Sequence, residues 1–274
     1  MALADRYDSF LFDLDGVLYR ADSPVEHAPQ SVERLRALGR SIVFMTNNSS
    51  RTPAQVADKL ARVGVRAAAQ EVVSSALVTA EVLRSRGIGD AFVIGEDGVL
   101  EALADAGIEI LGPGAATASS VVIGWDRGIT YDKLRTGSLL VERGALLVAT
   151  NADPSYPAPD GRWPGAGALL AAVVATTGVD PLVIGKPHVP LFDAARRLGD
   201  GRPLVIGDRL DTDIVGAAAA ELDSLLVLTG ISDRAELDRS SIKPTYVGDD
   251  LRALFDEARA EPAAPAQNES GRAG

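Results

Sequence analysis

The chain has 274 residues, 46% hydrophobic and 24% charged, with two histidines, no cysteine and a formal net charge of -11. Without cysteine there is no disulfide, thiol catalysis or thiolate-held zinc, and His27 and His188 alone offer little for an imidazole metal site. The negative charge lacks the basic footprint nucleic acid requires, so no nucleic-acid partner is expected. No apolar run reaches the roughly 18 residues of a membrane span. Met1 to Arg6 carries an acid early and no apolar segment, so no membrane partner and a cytoplasmic home are expected.

In chain order, Phe10-Leu11-Phe12 ends in Asp13-Leu14-Asp15-Gly16, a buried strand with acid at its tip, where open α/β sheets do their chemistry. If the extended geometry persists through Asp15, side-chain alternation puts Asp13 and Asp15 on one side. An Asp-Gly turn leaving a strand is the plain structural alternative. Val17 and Leu18 stand where an EF-hand loop would need a ligand and a glycine.

Helical spacing over Ser31 to Leu38 stops at Gly39, and Ile42 to Thr46 reads as a strand ending in Thr46-Asn47-Asn48-Ser49-Ser50. Thr52 as N-cap, Pro53 at the first helical position and Gln55 in a capping box open a helix running toward Val63-Gly64. Strand and helix alternating in this way predict a parallel sheet with right-handed crossovers.

From 81 to 182 the alternation repeats independently, with strands at Ala91 to Gly95, Val121 to Gly124 and Ala145 to Ala149. Helices are expected over Asp97 to Ala106, Tyr131 to Glu142 and Gly167 to Gly178. Between them Asn151 to Gly167, with Pro154, Pro157, Pro159 and Pro164, is expected to be a long irregular loop, and loops of that length are usually functional. Leu182 to Pro187, a helix through Arg197, and Pro203 to Asp208 then return to the first pattern. Ser224 to Leu228 and Thr245 to Val247 add two strands, the latter expected at the sheet edge. The expected organisation is a doubly wound, Rossmann-like parallel core from 1–80 and 183–257, an inserted α/β unit at 81–182, and a disordered tail at 258–274.

Four stretches place a polar group just past an apolar strand: Asp13 and Asp15, Thr46 and Asn47, Lys186, and Asp208 with Asp211 and Asp213. Singly, each has a bland reading as a solvated lysine, a helix cap or a strand end. On one parallel sheet, however, all would converge on a single crevice. Two carboxylates about 4 Å apart repel by roughly 4 kcal/mol at an effective dielectric near 20, so Asp13 and Asp208 in one pocket call for a cation. Oxygen-only ligands point to Mg²⁺, and Lys186 would meet a phosphate oxygen from the other side.

Asp13-Leu14-Asp15-Gly16-Val17-Leu18, Thr46-Asn47-Asn48-Ser49, Gly185-Lys186-Pro187 and Gly207-Asp208-Arg209-Leu210-Asp211-Thr212-Asp213-Ile214, in that order, resemble the motifs of the haloacid dehalogenase-like hydrolases. The insert between the second and third motifs resembles the large-cap (IIA) subgroup of NagD-like, phosphoglycolate and glycerol phosphate phosphatases. The resemblance implies that Asp13 is the nucleophile and Asp15 the acid and then base. It implies Mg²⁺ held by Asp13, Asp15 through its backbone carbonyl, and Asp208, with Asp213 supporting and Asp211 left open. Thr46, Asn47, Asn48 and Lys186 would bind the transferring phosphoryl group, and Asn151 and Asp153 would face the substrate, with a purely structural loop as the alternative.

The expected function is Mg²⁺-dependent hydrolysis of a small-molecule phosphate monoester, with glycerol phosphate or phosphoglycolate favoured. Sugar phosphates, nucleotides, pyridoxal phosphate or a phosphomutase reaction are the alternatives. A non-catalytic phospholigand-binding protein is the reading from another class, against which intact Asp13, Asp15, Lys186 and Asp208 argue. A homodimer through the inserted unit is left open. Pro187 after Lys186 excludes a P-loop, and Gly165-Ala166-Gly167-Ala168 lacks the third glycine of a dinucleotide fingerprint. His188 is expected to be structural or at the rim.

Overall fold

Alternation along the first strand, Ser9–Phe12, divides its apolar side chains between two packed layers. Phe10 and Phe12 join Ile42, Phe44, Leu204 and Ile206 in one layer, and Leu11 joins Val43, Met45 and Val205 in the other. Helices Ala28–Ala37 and Pro53–Arg62 cover the first layer through Val32, Leu35, Val56 and Leu60. Helices Ser75–Ser85 and Val189–Leu198 cover the second through Ala76, Leu83, Leu191 and Phe192. The chain is therefore doubly wound, and its central strands are apolar on both faces for that reason.

The computed structural model describes residues 1–158 and 160–263. Seven strands form the main sheet in the order Glu261–Pro262, Tyr246–Gly248, Asp223–Val227, Pro203–Gly207, Ser9–Phe12, Ser41–Thr46, Val72–Ser74. All neighbours run parallel except the first pair. The capping box forms at helix Pro53–Arg62: Gln55 N–H donates to Thr52 Oγ1 at 3.3 Å and Thr52 N–H to Gln55 Oε1 at 3.0 Å.

A second parallel sheet has the order Leu182–Val183, Leu146–Ala149, Ser120–Ile123, Asp90–Ile94, Glu109–Leu111. Val93, Val122 and Val148 on one face pack in the same apolar layer as Leu11 and Val205 of the main sheet. The opposite face, with Phe92, Ile94, Val121 and Ile123, has its own cluster. Because one apolar layer runs through both units, the chain crosses between them inside regular elements. The boundary expected after residue 80 falls within helix Ser75–Ser85, and the one expected after 182 divides strand Leu182–Val183.

Three expectations are corrected. The segment Asn151 to Gly167 is not irregular throughout: Ser155–Ala158 and Gly161–Pro164 pair as an antiparallel hairpin. Its prolines masked the strand signal, since a two-stranded ribbon has open edges where a missing N–H is tolerated. Strand Tyr246–Gly248 is not the sheet edge, because Glu261–Pro262 pairs outside it. The tail expected to be disordered from 258 therefore continues to 263 as the end of a one-turn helix, Glu257–Arg259, and this edge strand. An exposed strand edge offers unpaired backbone groups, and a short polar strand satisfies them without needing an apolar signature of its own. Residues 264–274 of that tail lie outside the described residues. No helix among the described residues is long and apolar enough to cross a membrane.

Candidate active site

The first strand stops at Phe12, and Asp13 N–H donates to the carbonyl of Ile206 at 2.8 Å, which fixes the acid at the sheet edge. The extended geometry does not continue to Asp15. Leu18 N–H donates to Leu14 O at 2.8 Å, closing a tight turn in which Gly16 takes φ +79°. A side chain at Gly16 would also meet the Asp208 carboxylate, 2.4 Å from its would-be Cβ, and at Gly230 the separation would be 1.8 Å. Both glycines are thus required by close approach to Asp208, and Gly16 by its positive φ as well. The turn carries Asp15 away from the strand alternation and places it against Tyr19, Lys59 and Arg51.

Asp13, Asp208 and Asp213 come together, each offering one oxygen within 4.8 Å of the others. Lys186, with only 4% of its side chain exposed, donates to Asp13 Oδ1 at 2.5 Å and Asp213 Oδ1 at 2.7 Å. The four strand tips were expected to share one sheet edge. Lys186 instead follows Leu182–Val183 of the second sheet, and Gly185 N–H donates to Thr150 O at 2.8 Å. The lysine therefore enters the crevice from the facing unit, because the ends of strands Ser41–Thr46, Leu146–Ala149 and Leu182–Val183 meet around Asn47. The Asn47 carboxamide accepts from Lys186 N–H at 2.7 Å and donates to Lys186 O at 3.1 Å, and Asn151 Nδ2 donates to Asn47 O at 2.8 Å.

Two buried carboxylates and a third only slightly exposed, against one lysine, leave an excess of negative charge. Burial raises Asp13 well above the ordinary range, with Lys186 opposing, while burial and then Asp213 push Asp208 up to about 7. Burial alone would lower Lys186, but Asp13 and Asp213 more than offset it and raise it. Asp208 Oδ2 accepts from Ile231 N–H at 2.7 Å, whereas its Oδ1 is buried with no partner. Burial raises Asp15 too, against the opposing charges of Lys59 and Arg51.

The other expected site residues are placed as follows. Thr46 is buried and its Oγ1 accepts from Asn48 N–H at 3.0 Å. Asn48 Oδ1 is occupied by Ser50 N–H and Oγ, at 3.0 and 2.7 Å. Asn151 uses its Oδ1 to accept from Asp153 N–H at 3.0 Å, so both ends of its carboxamide are engaged inside the protein. Asp153 accepts from Asn47 Nδ2 at 3.0 Å and lies 3.4 Å from Arg209 Nη1. Asp211 accepts from Arg209 Nε and Nη2 at 2.9 and 2.8 Å and stands outside the carboxylate cluster.

Several neighbours escaped the sequence reading. Buried Lys59 places its Nζ 3.8 Å from the centroid of Tyr19, and Arg51 acts on Asp15 from the loop after Ser41–Thr46. Trp125 stacks on Tyr156 with centroids 4.2 Å apart, and its indole donates to Pro164 O at 2.9 Å. Trp163 donates to Asp160 Oδ1 at 2.8 Å and stays 40% exposed.

A parallel α/β core with an inserted α/β unit, whose facing strand tips gather carboxylates around a buried lysine, defines a hydrolase class built on oxygen ligands and not on cysteine or histidine. A family model described as haloacid dehalogenase-like hydrolase matches residues 10–109 and a second, HAD-hydrolase-like, matches 183–254. The chain belongs to the haloacid dehalogenase-like hydrolases. It is 37% identical over 249 residues to the 5'-nucleotidase YutF of Bacillus subtilis, covering 89% of this chain and 96% of the relative. It is 36% identical over 256 residues to an acid sugar phosphatase of Staphylococcus aureus, covering 92% and 98%. The structure of glycerol phosphate phosphatase Rv1692 from Mycobacterium tuberculosis in complex with magnesium superposes with a TM-score of 0.89 at 36% identity, covering 93% of this chain and 78% of that one.

Proposed function

We propose that the chain is a Mg²⁺-dependent phosphatase acting on small phosphate monoesters through an aspartyl-phosphate at Asp13. The observation that carries this reading is the buried cluster of Asp13, Asp208 and Asp213 around Lys186, with Asp208 Oδ1 left without a partner. The donor set fits Mg²⁺: all ligands are hard oxygens, and a divalent cation balances the excess charge. Asp13, Asp208 and the backbone carbonyl of Asp15 would hold the ion, with Asp213 supporting the shell while bonded to Lys186. When bound, Mg²⁺ would neutralise charge on the phosphoryl oxygens.

The chain's own groups divide the remaining work. Asp13 Oδ1 is steadied by Lys186, and its other oxygen makes no hydrogen bond among the described residues, so that oxygen attacks phosphorus. Lys186, the Thr46 hydroxyl and the Asn47 backbone amide would receive the equatorial oxygens. Asp15 would protonate the departing alkoxide and then take a proton from the water that hydrolyses the acyl phosphate. Burial raises it and so favours its protonated form.

For the substrate, glycerol phosphate or phosphoglycolate remains the leading reading, supported by the name of the M. tuberculosis neighbour. The Trp125–Tyr156 stack favours a second one, an ester carrying a flat ring such as a nucleoside monophosphate, in keeping with the name of the B. subtilis relative. Phosphate release with Mg²⁺ from glycerol phosphate, phosphoglycolate, sugar phosphates, nucleoside monophosphates and pyridoxal phosphate tests both. A highest kcat/KM for a ring-bearing ester, lost in Trp125→Ala, would displace the small-polyol reading. No phosphate release from any ester, in the presence of Mg²⁺, would refute the phosphatase.

A further inference from the structure

Asp153 lies in the segment expected to touch substrate, yet both of its carboxylate oxygens already have partners within the protein. Oδ2 accepts from Asn47 Nδ2 at 3.0 Å, and Oδ1 lies 3.4 Å from Arg209 Nη1. The Asn47 carboxamide is in turn clasped to the backbone of Lys186, accepting from its N–H at 2.7 Å and donating to its carbonyl at 3.1 Å. Gly185 makes room for that clasp: a Cβ there would sit 2.5 Å from Asn47 Oδ1.

Turned end over end, the Asn47 amide would set its NH₂ against the Lys186 N–H and its oxygen against both the Lys186 carbonyl and the Asp153 carboxylate. All three contacts would be repulsive, and an ionised carboxylate can only accept, so Asp153 reinforces one orientation of the amide. On its other side Arg209 gives Nε and Nη2 to Asp211, which leaves Nη1 aimed at Asp153. Asn47 and Arg209 follow strands of the main sheet, whereas Asp153 follows a strand of the second.

We propose that Asp153 is a positioning residue that acts through Asn47 to set the Lys186 backbone, and that Arg209, braced by Asp211, holds Asp153 in place. The proposal rests on the reading of Lys186 as a phosphoryl-binding group. It gives Asp211 a role outside the metal site and removes Asp153 from the substrate contacts.

The test compares Asp153→Ala, Asp153→Asn and Arg209→Gln with the unaltered protein in Mg²⁺. The readouts are hydrolysis of glycerol phosphate and of p-nitrophenyl phosphate, competitive inhibition by inorganic phosphate, and Tm. Asp153→Ala is expected to lower kcat/KM on both esters by the same factor, roughly tenfold or more, as loss of a group that orients a site residue does. Inhibition by phosphate weakens with it. Asp153→Asn, which still offers Asn47 an acceptor, recovers most of the loss, and Arg209→Gln loses an intermediate amount on both esters.

A change of about tenfold or more in the ratio of kcat/KM between the two esters would make Asp153 a substrate contact and overturn the proposal. So would unchanged phosphate inhibition in Asp153→Ala, or an Asn variant no better than Ala. If Asp153→Ala does not fold, Asp153→Asn and Arg209→Gln decide alone: phosphate inhibition in Asp153→Asn weaker than in Arg209→Gln overturns the proposal. If the unaltered protein hydrolyses no ester, the phosphatase reading fails by itself, and calorimetric binding of inorganic phosphate to the same variants still measures the brace.

Discussion

Lys186→Met exposes how much of the site is held by one charge. The lysine is 4% exposed and donates to Asp13 at 2.5 Å and Asp213 at 2.7 Å, carboxylates whose own exposures are 14% and 1%. Methionine fills most of the volume but leaves Asp213, fully buried, and Asp13, only slightly exposed, without their counter-charge. Breaking a buried pair from one side costs about 3–5 kcal/mol, against roughly nothing when both partners are replaced together. For a chain of this size that cost lowers Tm by roughly 6 to 20 °C. Thermal unfolding followed by circular dichroism in EDTA at neutral pH measures it. Adding Asp213→Asn to Lys186→Met removes one stranded charge and is expected to return part of the loss, with a coupling of about 0.5–3 kcal/mol. A fall in Tm of less than about 2 °C, or a double variant in which the two costs simply add, would show that Lys186 does not balance these acids.

Asp13→Asn is expected to keep the fold and lose phosphate release by several orders of magnitude, since Asp208 would be taken up by Mg²⁺ and Asp213 is bonded to Lys186. Retention of more than about a tenth of the unaltered kcat, a loss under about 1.4 kcal/mol, would remove Asp13 from the nucleophile's role. The third prediction concerns pH. Asp208 is pushed up to about 7 from an ordinary 3.8, so across that window the folded, metal-free protein holds a proton the unfolded chain has released. Its contribution to stability therefore falls as pH rises from about 4 to about 7, the reverse of the usual salt-bridged carboxylate. Mg²⁺ competes with that proton, so the rise in Tm on adding Mg²⁺ is expected to be larger at about pH 7.5 than at about pH 5. An equal rise at both pH values would argue against metal binding at Asp208.

Much of the candidate site was legible in the sequence because it is encoded locally. An apolar run ending in acid marks Asp13 and Asp208, a Thr-Pro-x-Gln start marks the helix after Asn47, and hard ligands without cysteine or histidine restrict the metal. Period-two alternation within strands such as Phe10-Leu11-Phe12 was enough to give a sheet packed on both faces. Tertiary structure decided what depends on where distant segments meet. Lys186 follows a strand of the second sheet and reaches Asp13 across the crevice, a placement no local pattern specifies. Asp15 leaves the strand alternation because Gly16 turns at φ +79°. Asp153, Asn151 and Asn48 were legible as polar residues of that neighbourhood, but not their hydrogen bonds to Asn47, Arg209 and Ser50. Residue type tells which groups can donate or accept, and only packing tells which partners they have found, because a buried polar group is driven to pair with whatever the fold brings within about 3 Å.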